Sequence, residues 1–138
     1  MNPSSEDLAR THAAAFQDQR PWTAQEFTAL RAGAGVILCG DADSFILGRI
    51  LAGEAEILTL ATAPHMRRAG LAQQCLHTFL DLARAQGATQ AFLEVSDANI
   101  SAKSLYFKAK FHETGRRTGY YSSADGQKSD ALLLTRTL

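Results

Sequence analysis

The chain has 138 residues, 46% of them hydrophobic, which is the length of one domain with enough apolar material for a core. Its 14 Lys and Arg balance 14 Asp and Glu, so no overall field favours a nucleic acid or a membrane surface, and any anion site must be local. No basic start leads into an apolar leader and no apolar run nears membrane-spanning length, so a soluble, cytoplasmic protein is expected.

In chain order, "SSEDLARTHAAAF" opens with a capping box, Ser4 with Asp7, and carries Leu8, His12, Ala15 and Phe16 at helical spacing. "PWTAQEFTALRAG" predicts a second helix, with Thr23 as N-cap, Glu26 three residues on and Gly33 closing it. "VILCG" and "SFILGRILAG" read as a hairpin about "DAD", and "EAEILTLATA" as a third strand covered on both faces. A long helix is expected from about Arg67 to Gln86, with Leu71, Cys75, Phe79 and Leu82 on one stripe and Gly87 ending it. "QAFLEVS" is a strand and Asn99 to Lys110 a helix; two long strands then flank the turn "ADGQ". This order, α α β β β α β α β β, predicts an α/β fold with one parallel pair inside a mixed sheet. Cys39 and Cys75 lack CxxC spacing and read as buried small hydrophobes; the scattered histidines suggest no metal.

Three places ask for a chemical explanation. In "ATAPHMRRAGLAQQ" the smallest side chains and two arginines stand where a helix begins. A strand running into a helix N-terminus offers unpaired N–H groups and a positive dipole end, which suit a phosphate, although neither GxxxxGK[ST] nor GxGxxG is present. Close packing of Gly70 and Ala72 with solvated arginines accounts for the segment equally well. Glu94 is the second place, a carboxylate among apolar neighbours in "AFLEV": it either reaches solvent at the sheet's mouth or is employed. Asn99 and Tyr106 are the third. Each alone reads as a helix cap and a core aromatic, yet their spacing puts them on one helix face, about 10 Å apart along the axis.

"RRAGLA" resembles the acetyl-CoA loop of the GNAT acyltransferases, [Q/R]-x-x-G-x-[G/A], through Arg67, Gly70 and Ala72. "FLEVSDANISAKSLYFKAKF" is similar to the RimI branch, the bacterial ribosomal-protein-alanine N-acetyltransferases, as are "RPWTAQEF" and "GYYSSADG". The likeness runs from about residue 8 to the end and implies a single GNAT domain over residues 1–138. It implies a mixed, mostly antiparallel sheet whose third and fourth strands splay apart around acetyl-CoA. Leu60, Ala61 and Thr62 would then offer backbone groups to the pantetheine arm, and Arg67, Arg68, Ala69, Gly70, Leu71, Ala72 and Gln73 would hold the pyrophosphate. Asn99 would bind the cofactor's amide chain. Glu94 is implied as general base and Tyr106 as general acid; Trp22, Tyr120 and Tyr121 match positions near a peptide groove, where loop anchoring is the alternative.

The implied acceptor is a protein N-terminus, with the alanine of a ribosomal protein as the family's example. A lysine side chain or a small amine is the alternative enzymatic reading, and an acyl-CoA-binding module without catalysis a third. No nucleic acid, membrane or metal is implied, and the chain is expected to be a monomer or weak dimer. The family's usual first strand is missing before the first helix, Ala72 stands in place of the commoner glycine, and Ser96 stands where an arginine is often found. Ala72 should still fit; Ser96 and a final turn, "ADGQKSDA", one residue longer lie close to the substrate side, so they bear on the acceptor rather than on acetyl transfer. The sequence shows no second base near Glu94 and no obvious acidic patch.

Overall fold

The computed structural model describes residues 2–16, 20–123 and 125–138. Two helices lead, α1 (Ser5–Ala15) and α2 (Ala24–Arg31), followed by β1 (Val36–Gly40), β2 (Ser44–Leu51) and β3 (Glu54–Thr62). Then come α3 (Leu71–Ala85), β4 (Gln90–Ser96), α4 (Ile100–Lys108), β5 (His112–Ser122) and β6 (Lys128–Thr137). The order of elements is the one read from the sequence. The six strands form one sheet in the order β1-β2-β3-β4-β6-β5. Every neighbouring pair is antiparallel except β3 and β4, joined in parallel through the α3 crossover.

Local chemistry explains the helix starts. Ser4 and Asp7 close one capping box and Thr23 and Glu26 another, each satisfying an otherwise orphaned donor at the helix N-terminus. Three expectations shift. Gly33 does not end α2, which stops at Arg31; Ala32 caps it, and the Gly33 N–H bonds the Leu30 carbonyl at 3.0 Å. The long helix begins at Leu71, not near Arg67, because a short 3₁₀ turn (Pro64–Met66) and left-handed backbone at Arg68 and Gly70 precede it. Leu82 is exposed, the buried stripe running instead through Cys75, Leu76, Phe79, Leu80 and Ala83. The turn "ADGQ" joins β5 to β6, although its Ala124 lies outside the described residues.

α3 and α4 cover one face of the sheet, where Ile46, Ile57, Phe79, Leu93, Tyr106 and Leu132 share a core. Gly48 admits that packing: a Cβ there would lie 2.3 Å from a Phe79 ring carbon, so only hydrogen fits beneath the ring. α1 and α2 cover the other face with Leu8, Phe27, Phe45, Leu47 and Ala61. β3 therefore alternates between fully and partly buried residues instead of being equally covered on both sides. Cys39 and Cys75 are free and buried, as their apolar surroundings in the sequence suggest.

His12 is an unexpected member of the α1–α2 layer. It is buried, stacked on Trp22 with centroids 5.0 Å apart and in edge contact with Phe27, while its Nδ1 accepts the Trp22 N–H at 3.2 Å. Burial lowers its pKa from 6.5 to about 4. A group depressed in the folded state contributes stability above its unfolded pKa and loses it as pH falls through the folded one. Stability is thus expected to drop by up to about 3 kcal/mol from this group as pH falls from about 6.5 to about 4. His12→Asn, whose Oδ1 can replace Nδ1 as the acceptor, should flatten that part of the profile in denaturant titrations at pH 7 and pH 4.5; an unaltered slope would refute the assignment.

Candidate active site

The parallel ladder between β3 and β4 is short. It runs from Glu54 opposite Gln90 to Ile57 opposite Leu93 and stops there. At the same level the β2–β3 register shifts, Leu47 facing Thr59 and Gly48 facing Ile57, so Leu58 is the extra residue of a bulge. A bulge bends its strand and ends pairing. From Thr59 to Thr62 β3 stays paired with β2 but, among the described residues, presents an edge without a strand partner toward β4. This is the expected splay, and Leu60, Ala61 and Thr62 lie along it.

Glu94 is the first residue of β4 beyond the pairing with β3. Its neighbours Leu93 and Val95 point into the α3–α4 core, so its side chain takes the opposite face, where it is partly exposed. There it lines a cleft of about 550 Å³ with Trp22, Glu26, Glu56, Leu58 and Tyr121. The nearest cation is Arg117, with Nη2 4.0 Å from Glu94 Oε2, too long for a hydrogen bond and largely exposed. The carboxylate therefore faces solvent at the point where the sheet opens, the first of the two alternatives the sequence left.

The acidic lining was not legible in the sequence. Glu56 lies opposite Phe92 on β3, two positions before Glu94 in the paired register, and its contact with Arg49 is long at 3.4 Å. Glu26 also enters the cleft, but it is committed to Arg20 at 2.7 and 2.9 Å and caps the Thr23 N–H. The Arg20 hydrogen bond, with the cap, lowers its pKa to about 2. The cleft thus gathers three carboxylates from α2, β3 and β4. They are far apart in sequence, which is why counting neighbours of Glu94 found neither a second base nor an acidic patch.

Of the aromatic candidates, Trp22 and Tyr121 line the cleft and Tyr120 does not. Tyr120 is exposed, edge-on to Tyr121 at 5.1 Å and covered by the Arg117 guanidinium at 5.2 Å. Partial burial, then the nearby Glu94 charge, pushes the Tyr121 hydroxyl's pKa up.

Tyr106 belongs to the other face. Its ring is buried against Phe111, edge-on at 5.6 Å, and burial alone raises its pKa, with no hydrogen-bond contribution. Asn99 caps α4, its Oδ1 accepting the Ala102 N–H at 3.2 Å, which commits the oxygen and not the Nδ2 donor.

The glycine segment completes the opening. Arg67 is extended, Arg68 (φ 67°) and Gly70 (φ 76°) are left-handed, and the first amide of the turn to find a helical acceptor is that of Gln74, bonded to Gly70 O at 3.1 Å. Among the described residues the N–H groups from Arg68 to Gln73 have no backbone acceptor, and Gly70 caps the helix without a side chain. A Cβ on Gly70 would meet nothing within 4 Å, so the glycine serves open space, not close packing. Consecutive free amides in a concave turn at a helix N-terminus make an anion cradle, and Arg67 and Arg68 stand exposed beside it. A diphosphate followed by a chain running along the unpaired β3 edge fits these groups.

A sheet split between parallel strands, an anion cradle after the first and a carboxylate where the second diverges define an acyl-CoA-dependent N-acyltransferase architecture. The chain belongs to the acetyltransferase (GNAT) family, whose model matches residues 5–111. It is similar to the ribosomal protein bS18-alanine N-acetyltransferase of Escherichia coli K12, with 30% identity over 95 residues, covering 69% of this chain and 64% of that protein. The crystal structure of the ribosomal-protein-S18-alanine N-acetyltransferase from Escherichia coli superposes with a TM-score of 0.87 at 24% identity, over 96% of this chain and 86% of that one. Ard1 from Thermoplasma volcanium superposes with a TM-score of 0.80 at 26% identity, over 98% and 93%. The alignment with the bS18 enzyme spans a little under two thirds of that relative's length.

Proposed function

We propose that this chain, acting as a single domain over residues 1–138, transfers the acetyl group of acetyl-CoA to the N-terminal α-amine of a protein in the cytoplasm. The observation that carries this reading is the position of Glu94 at the first residue of β4 beyond its pairing with β3, in an open cleft on the face opposite Tyr106. In this reading the amides from Arg68 to Gln73 hold the diphosphate, with Arg67 and Arg68 adding charge. Leu60, Ala61 and Thr62 pair with the amides of the pantetheine arm, and Asn99 donates to the same chain. The thioester is thereby presented in the gap, with the acceptor on one side and Tyr106 on the other.

Glu94 takes the proton from the incoming ammonium, through a water at this degree of exposure, because only the neutral amine attacks a thioester. Tyr106 keeps its proton, being buried, and supplies it to the departing sulfur. Burial raises the thiol's proton affinity along with the phenol's, so the transfer is less uphill than in water. Trp22 and Tyr121 flank the acceptor, and Tyr120 supports Tyr121 from outside the cleft. The bS18-alanine enzyme among its relatives supports a protein N-terminus, a ribosomal one included, as the acceptor.

Proton energetics favours an α-amine. Its pKa near 7.7–8.0 leaves roughly a third neutral at pH 7.5, against about one part in a thousand for a lysine near 10.4. The difference is about 3.5 kcal/mol of work before attack. Glu56, a second carboxylate in the same cleft, is the observation that favours a lysine acceptor as the second reading. Release of free thiol from acetyl-CoA, measured with α-amine peptides, blocked lysine peptides and small amines, tests the proposal. Turnover with the first class is expected; no thiol release with any amine would leave only a binding module.

A further inference from the structure

β5 and β6 pair from Gly115 to Arg117 and again at Tyr121, but the ladder shifts between Arg117 and Tyr121. This irregular stretch adjoins the cleft: Arg117 precedes it, 4.0 Å from Glu94, and Tyr121 follows it in the cleft wall. A side chain takes the ladder's place. Asp130 Oδ1 accepts the Gly119 N–H at 2.9 Å, with Gly119 left-handed at φ 63°, and Asp130 Oδ2 accepts Arg116 Nη1 at 2.7 Å. The Asp130 carbonyl accepts the Asp97 N–H at 2.8 Å, just beyond β4. Asp97 in turn accepts Lys103 Nζ of α4 at 2.6 Å and lies 3.6 Å from Arg116. One residue thus ties the bulged part of β5 to the β4–α4 turn. Its hydrogen bonds from Gly119 and Arg116 hold its carboxyl below the usual range, so the contact persists at neutral pH.

From this we infer that Asp130 is a positioning residue for the acceptor side of the site: through the Gly119 N–H its carboxylate sets the segment of β5 that carries Arg117 and Tyr121. Asp130 is not itself among the residues that line the cleft. The inference rests on the reading that the cleft receives the acceptor amine. Its signature is a change confined to acceptor binding.

Asp130→Ala is expected to raise the acceptor KM about tenfold while acetyl-CoA affinity changes by less than about twofold. Asp130→Asn keeps an oxygen for the Gly119 N–H, while its NH2 replaces the acceptor facing Arg116, so it should hold KM within about threefold of wild type. The acceptor is whichever amine of the panel the wild-type enzyme acetylates fastest. If that amine is not an N-terminal peptide, the acceptor class proposed above fails while the Asp130 comparison still stands. Should the alanine variant not fold, Asp130→Val suits the strand and carries no acceptor for the Gly119 N–H. An unchanged acceptor KM, or a parallel loss of acetyl-CoA affinity, would overturn the inference.

Discussion

Gly70→Asp is expected to abolish acetyl-CoA binding while leaving the fold intact. The position is open, so an added Cβ meets nothing within 4 Å, and Asp is among the residues that tolerate left-handed backbone best. What the side chain does meet is the volume a diphosphate would occupy. A carboxylate 4 Å from one phosphate charge costs about 4 kcal/mol at an effective dielectric near 20, roughly a thousandfold in affinity. Calorimetric titration with acetyl-CoA reads this directly, and thermal melting shows whether the domain survives. Unchanged affinity in the variant would remove the anion-cradle reading of residues 68–73.

Tyr106→Phe should cut turnover roughly a hundredfold or more with little change in acetyl-CoA affinity. The ring is buried and packed edge-on against Phe111, and phenylalanine preserves both features. Only the O–H is lost, and with it the group proposed to deliver a proton to the leaving sulfur. A drop shared equally by kcat and kcat/KM is the expected pattern, since the interaction is made only in the transition state. Equal turnover in variant and wild type would reduce Tyr106 to a packing residue.

The order of elements was legible in the sequence because its signals are local. Both capping boxes, the hairpin about "DAD" and the closing of α3 at Gly87 depend on residues within one turn of each other. The start of α3 was misplaced because left-handed backbone at Arg68 breaks a pattern whose side chains suit a helix. Gly70 could be read as a packing or a ligand glycine, and only the empty space above it separates the two. Glu94 stood out as a charge in an apolar run, but the end of β3–β4 pairing at Leu93, which places it where the sheet opens, coincides with the bulge at Leu58. Glu26 and Glu56 were invisible as cleft residues. They reach Glu94 through sheet register and the docking of α2, which no spacing along one strand encodes. His12 likewise read only as one of a helical stripe until Trp22 and Phe27 enclosed it.

The acceptor amine is the central claim, and paired peptides test it most directly. One carries a free N-terminal alanine and no lysine; the other is blocked at its N-terminus and carries one internal lysine. Each is incubated with the protein and acetyl-CoA at pH 7.5, and kcat/KM is taken from thiol release with the acetylated position located by mass spectrometry. A strong preference for the free N-terminus is expected, because roughly a third of that amine is already neutral at pH 7.5, against about one part in a thousand of the lysine. Faster acetylation of the blocked peptide would contradict the account and transfer the role of this cleft, with Glu56 beside Glu94, to lysine side chains.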